Sequence, residues 1–170
     1  MDYADRGKLG IVYGDVTLGV HGEHFHLIFS YQTGGLESMV KHGKEWLYRT
    51  PKPTFWRATT DNDRGNGFPF RAGMWMTAEK VQKCVDMQVR IDGTKIEKPS
   101  APVNNKYSDK ETAERVEVIF TYETLTVPST QVKVSYLVFA DGNVRVRANY
   151  FGKEVLPELP AFAMRFLMPT

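Results

Sequence analysis

The chain has 170 residues, 42% hydrophobic and 25% charged, enough apolar material for one sizeable core, so a single globular domain over residues 1–170 is expected. Its 22 basic and 20 acidic residues are interspersed and leave a formal net charge of +2, which excludes the basic stripe of a nucleic-acid binder and the cationic face of a membrane-surface protein. No apolar run is long enough to span a bilayer, the first residues lack a signal-like apolar stretch, and the single cysteine, Cys84, excludes an internal disulfide and a cysteine-built zinc site; these features point to the cytoplasm.

In chain order, Phe25, Leu27, Phe29 and Tyr31 alternate at period two, which predicts a half-buried antiparallel strand with those residues on one face. Gly34-Gly35 separates two short apolar runs. Lys41-His42-Gly43-Lys44 turns the chain before Glu45-Trp46-Leu47-Tyr48. A helix is predicted over about Pro69 to Lys80, with Phe70, Met74, Thr77 and Ala78 on one side. Cys84 reads as a small packed hydrophobe. Lys98 to Lys106 is polar and carries two prolines, so it reads as a surface loop.

Three further alternating runs follow: Val116, Val118, Phe120 and Tyr122; Val132, Val134, Tyr136 and Val138; and Val144, Val146, Ala148 and Tyr150. Asp141-Gly142 between the last two predicts a tight hairpin, hence a β-meander. Ala161 to Met168 is an apolar strand that needs covering, by a partner or by further chain.

The densest polar chemistry lies in Phe55-Trp56-Arg57-Ala58-Thr59-Thr60-Asp61-Asn62-Asp63-Arg64-Gly65-Asn66-Gly67, where two aromatics and an arginine lead into an acidic turn and two glycines. Loops of this composition carry function more often than packing. A calcium loop of the EF-hand kind fits at its first and third positions only, because Gly65 and Ala72 fall where the fifth and twelfth ligands belong. Asp61 and Asp63 are close enough in sequence for paired-carboxylate acid–base work, yet acids two apart on a turn ahead of a helix more simply cap or brace it. His24-Phe25-His26 places two imidazoles on one strand face with no third ligand at a recognisable spacing, so solvent-facing histidines are the simpler reading. Gly-x-Ser-x-Gly, His-Glu-x-x-His and phosphate-loop patterns are all lacking.

The run Tyr48-Arg49-Thr50-Pro51-Lys52-Pro53-Thr54-Phe55-Trp56-Arg57-Ala58-Thr59-Thr60-Asp61-Asn62-Asp63-Arg64-Gly65 closely resembles the last-domain signature of the glycoside hydrolase family 2 β-galactosidases, Phe-x-Arg-Ala-x-x-Asp-Asn-Asp-x-Gly, with Trp75 in place of the tryptophan on the following helix. Tyr13 to Val20 and Gly34 to Ser38 look like the start of the separate small chain of the heteromeric enzymes of lactic acid bacteria. The resemblance covers essentially the whole chain. It implies an all-β, galactose-mutarotase-like antiparallel supersandwich, here its N-terminal part, with one short helix after the Asp-Asn-Asp loop.

The resemblance further implies a non-catalytic small-subunit domain that completes a large catalytic chain hydrolysing terminal β-D-galactosides such as lactose. The two catalytic glutamates, the magnesium and the sodium are then expected on that large subunit. No catalytic or metal-binding residue is expected here, nor any contact with nucleic acid or membrane. Gly65, Asn66, Gly67 and Phe68 are expected in a lid-like loop beside the active site, with Gly65 as hinge. Trp56, Arg57, Asp61, Asn62, Asp63 and Arg64 are expected at its root or at the partner interface. A free-standing carbohydrate-binding β-sandwich that stacks sugars on exposed tryptophans is the alternative.

Overall fold

The computed structural model describes residues 7–97 and 111–169. The expected loop at Lys98 to Lys106 lies outside the described residues.

The alternating segments form antiparallel sheets. The first sheet contains β1 (Leu9–Tyr13), β2 (Thr17–His21), β3 (Phe25–Ser30), β4 (Gly35–Lys41), β5 (Lys44–Glu45) and β9 (Thr112–Ala113), in the order β5-β4-β3-β2-β1-β9. The second contains β7 (Gln82–Ile91), β8 (Thr94–Ile96), β10 (Arg115–Thr124), β11 (Gln131–Phe139) and β12 (Val144–Phe151), in the order β12-β11-β10-β7-β8. Every pairing is antiparallel; most join sequence neighbours, as the expected meander requires, while β1–β9 and β6–β13 join strands far apart in the chain. The hairpin at Asp141-Gly142 forms as read: Phe139 N–H donates to the Asn143 carbonyl at 3.0 Å and Gly142 takes a φ of +80°.

Alternation decides which side chains meet. Leu18, Val20, Leu27, Phe29 and Leu36 are buried on the inner face of the first sheet. Val116, Val118, Phe120, Tyr122, Val132, Val134, Tyr136 and Val138 are buried on that of the second. Phe29 bridges the two layers, with its ring centroid 6.4 Å from Phe120 and 5.7 Å from Tyr136. Such aromatic contacts add to the burial itself, which contributes about 1.5–3 kcal/mol per large side chain.

A third, two-stranded sheet pairs β6 (Arg49–Thr54) with β13 (Ala163–Leu167). Pro51 and Pro53 remove two donors from β6, which suits it to an edge. Lys52 ties it to the sandwich, since its ammonium donates to the Thr33 and Gly34 carbonyls at 3.1 and 2.9 Å and sits 4.6 Å above the Tyr122 ring. The apolar strand expected near the C-terminus is therefore present, and Phe166, Leu167 and Met168 remain exposed on it.

One expectation needs correcting. Instead of one helix with Phe70, Met74, Thr77 and Ala78 inward, there are three short ones: α1 (Asp61–Gly65), α2 (Phe68–Arg71) and α3 (Met74–Lys80). Gly67 at φ +73° breaks the first junction, and the backbone turns again at Ala72 and Gly73. The breaks rotate the face, so Phe68, Ala72, Trp75 and Ala78 point inward while Phe70 is 90% exposed.

Candidate functional site

The polar segment after β6 folds into α1 because Thr60 and Asp63 form a capping box. Asp63 N–H donates to the Thr60 hydroxyl at 3.2 Å, and Thr60 N–H donates to Asp63 Oδ2 at 2.8 Å. Arg57 closes the motif from the other side with two bonds to the same carboxylate, at 2.6 and 3.1 Å. The Arg57 guanidinium holds the Asp63 carboxyl well below the usual carboxylate range, and Asp63 in turn raises the Arg57 value. Both Asp63 oxygens are committed, so the group is a brace and not a proton donor. Asp61 pairs with Arg64 within the same turn.

The predicted loop residues sit as follows. Gly65 is the last residue of α1, has negative φ, and would place a Cβ in open space. Asn66 caps α1, and its side-chain oxygen accepts Phe68 N–H at 3.0 Å. Gly67 holds the left-handed conformation. Phe68 is buried and stacks on Trp56 at 6.5 Å, with the Arg57 guanidinium 5.5 Å from its ring. Trp56, Arg57, Asp63 and Phe68 thus form one joined cluster, whereas Asp61, Asn62 and Arg64 face solvent.

The fastening of this cluster to the rest of the protein was not read from sequence. Glu79 on α3 accepts Thr54 Oγ1 at 2.6 Å, Phe55 N–H at 3.2 Å and Trp56 N–H at 2.8 Å, and its other oxygen pairs with Arg165 of β13. Burial alone would raise its pKa, but these bonds outweigh that and lower it. Gln82 adds a bond to the Pro53 carbonyl at 2.6 Å. Beneath, Phe55 contacts Trp75, Tyr150 and Phe162 with centroids at 5.7, 6.2 and 6.0 Å, and Trp75 Nε1–H donates to the Pro157 carbonyl at 3.2 Å. The Thr-x-x-Asp spacing signalled the cap, but no local pattern announces a partner 25 residues away.

This site is a rigid platform carrying an exposed knuckle. Its carboxylates are spent on backbone and arginine, so the paired-carboxylate role of Asp61 and Asp63 finds no geometric support. Among the described residues, no group of three or more His, Cys, Asp or Glu side chains is gathered to hold a metal ion. Among the described residues, no helix is long and apolar enough to cross a membrane.

Residues 21–170 match a family model described as "Beta galactosidase small chain". The chain is 56% identical over 163 residues to the beta-galactosidase small subunit of Latilactobacillus sakei, an alignment covering 96% of this chain and 51% of that protein. Proteins named beta-galactosidase from Halalkalibacterium halodurans and Clostridium acetobutylicum are 42% and 41% identical over 97% of this chain, corresponding to 15% and 16% of their own lengths. The chain therefore spans about half of the small subunit it matches and a small part of the longer enzymes.

Proposed function

This chain belongs to the beta galactosidase small chain family, and we propose that it acts as a non-catalytic small-subunit domain, completing the active site and assembly of a large β-galactosidase chain. The reaction of the whole enzyme is then retaining hydrolysis of terminal non-reducing β-D-galactosides such as lactose. Its acid/base and nucleophile glutamates, its magnesium and its sodium lie on the large chain, and the assembled enzyme works in the cytoplasm. The observation that carries this reading is the likeness along nearly the whole chain to a protein that is itself a small subunit. The committed state of Asp63 and Glu79 supports it, because both carboxylates serve as braces.

On this reading residues 1–170 are the N-terminal part of the small-chain domain, supported by their spanning about half the length of the relative. The knuckle from Gly65 to Gly73 is the lid-like loop turned toward the large chain. Trp56, Arg57, Asp61, Asn62, Asp63 and Arg64 form its root, and Gly65 its hinge. The Glu79 clamp supports this role, since a loop that shapes another chain's site must be held in place.

The rival reading, a free-standing sugar-binding sandwich, requires exposed tryptophan faces. Trp75 is fully buried, Trp56 is stacked on Phe68, and Lys44 lies 5.0 Å over the ring of Trp46. Sedimentation of the chain with and without a large subunit, together with calorimetric titration of the chain alone with lactose, separates the two. A joint complex and no lactose binding by the chain alone is expected; saturable binding of lactose by the isolated chain would favour the rival.

A further inference from the structure

The two ends of the second sheet differ in chemistry. At one end the chain turns through Asp92-Gly93 and Asp141-Gly142, and Asp92 Oδ1 accepts the backbone N–H groups of Glu114 and Arg115, both at 2.9 Å. These are polar turns that satisfy their own backbone and suit contact with water. The opposite end carries the connection between β10 and β11, residues 124–130, where Leu125 is 61% and Val127 86% exposed.

That connection turns its polar groups inward and its apolar ones outward. Thr124, Thr126 and Thr130 are buried, and Thr124 Oγ1 lies 2.9 Å from Thr126 Oγ1 and 2.8 Å from Thr130 Oγ1. The Thr126 hydroxyl donates to the Pro128 carbonyl at 2.8 Å. With that proton spent, Thr124 donates to Thr126 and Thr130 to Thr124, a single chain of donors ending on a carbonyl. The backbone closes the same loop, since Thr124 N–H donates to the Thr130 carbonyl at 3.0 Å and Thr130 N–H to Thr124 Oγ1 at 3.2 Å. None of this bonding uses the side chains of Leu125 or Val127, which stand in water on a braced turn.

The apolar tip is continuous with the knuckle. Thr124 pairs with Gln82, so the two strands leave this last rung side by side at Leu125 and Val81, and Val81 is itself exposed. Val81 directly follows α3, its N–H donating to the Thr77 carbonyl at 3.0 Å, and α3 leads back to the knuckle that bears the exposed Phe70. Lys80 and Lys83 flank Val81, which gives the strip an apolar centre and a charged rim.

We propose that Leu125, Val127 and Val81 form a second docking point for the large catalytic chain, beside the knuckle. The inference rests on the reading of this chain as a small-subunit domain and adds to it a surface at the end of the second sheet. Contiguous exposed apolar side chains on a soluble protein mark an interaction surface. A sugar ligand is disfavoured, because the threonine hydroxyls that could bind one are turned inward and spent on each other. The hydroxyl chain holds the tip in a single conformation, so docking loses little ordering entropy. The partner face is accordingly apolar, with its charges at the rim.

The test is sedimentation of the chain, its Leu125→Ser/Val127→Ser double variant and a Val16→Ser control with and without a large β-galactosidase chain. Val16 is as exposed as these residues but lies between β1 and β2 of the first sheet. Circular dichroism and the urea midpoint of the double variant are expected to match the parent, because the threonine bonding is intact. The double variant should assemble at least about tenfold more weakly and Val16→Ser within about twofold of the parent. Amide hydrogen exchange of residues 124–130 should slow in the parent complex. If the parent assembles and the double variant assembles equally well, or Val16→Ser loses as much, this docking point is overturned and the small-subunit reading stands. If the parent does not assemble with the large chain at all, both fall. A double variant that instead abolishes self-association of the chain alone, with assembly unchanged, assigns the tip to a second copy and overturns the proposal.

Discussion

Arg57 and Asp63 face each other as a two-pronged pair, Nη1 2.6 Å from Oδ2 and Nη2 3.1 Å from Oδ1, and the same carboxylate caps α1 through Thr60. The folded state binds the Asp63 proton more weakly than the unfolded chain does. Its contribution to stability is therefore complete above the unfolded value of about 4 and is lost as pH falls toward the lower folded value. Asp63→Asn should flatten the pH dependence of urea unfolding between about pH 5 and pH 2. An unchanged slope would show that the pair contributes nothing.

Thr60→Ala removes the other half of the capping box and should cost about 1 kcal/mol, read from the urea midpoint at neutral pH. A variant as stable as the parent would mean that α1 is held by Arg57 alone.

Glu79 and Arg165 form an ion pair with unequal burdens. Glu79 accepts from Thr54 Oγ1 and from the backbone of Phe55 and Trp56, whereas Arg165, 53% exposed, adds only a bond to Thr54 Oγ1 at 3.3 Å. Glu79→Ala should therefore cost about 1–3 kcal/mol through orphaned donors, and Arg165→Ala less than about 1 kcal/mol. Equal costs in chemical denaturation would contradict the clamp.

Much of this fold was legible because period-two alternation survives in β10, β11 and β12. β7 was not. Its ladder with β10 slips between Thr121 and Tyr122, so that Cys84 and Met87 both face the core across an odd spacing and the period breaks. The capping of α1 by Thr60 was within reach of a local pattern, and the Asp-Asn-Asp run marked a place of concentrated polar chemistry. The three-helix path was hidden, since Gly67 and Gly73 permit breaks without announcing them. Glu79 was hidden for another reason: a carboxylate that serves a strand end across the fold looks, in sequence, like any helix-surface glutamate.

The glycines of the two turns differ in a measurable way. Gly67→Ala meets only left-handed strain, because the nearest atom to a new Cβ is Arg71 Nη1 at 3.8 Å, and should cost about 1–2 kcal/mol. Gly34→Ala adds a clash at 2.3 Å with the Cys84 Cβ to a φ of +63°, so about 1–3 kcal/mol of overpacking is added to the same strain. Denaturant midpoints that rank the two in the opposite order would place the tight packing elsewhere.

Phe70 is 90% exposed on a knuckle held between Gly67 and the buried Trp75. Phe70→Ser should leave the stability of the chain within about 0.5 kcal/mol while weakening assembly with the large chain, measured by sedimentation. Unaltered assembly would show that this tip does not contact the partner.

The central claim is that this chain completes an active site whose chemistry lies on another subunit. The most direct measurement is hydrolysis of a chromogenic β-galactoside by a large β-galactosidase chain, with and without this chain supplied as part of a small subunit of the relative's length. Activity only when both chains are present, lowered by Asp63→Asn or Glu79→Ala, is the result the account predicts. Activity of the large chain that is the same with or without this one would contradict it.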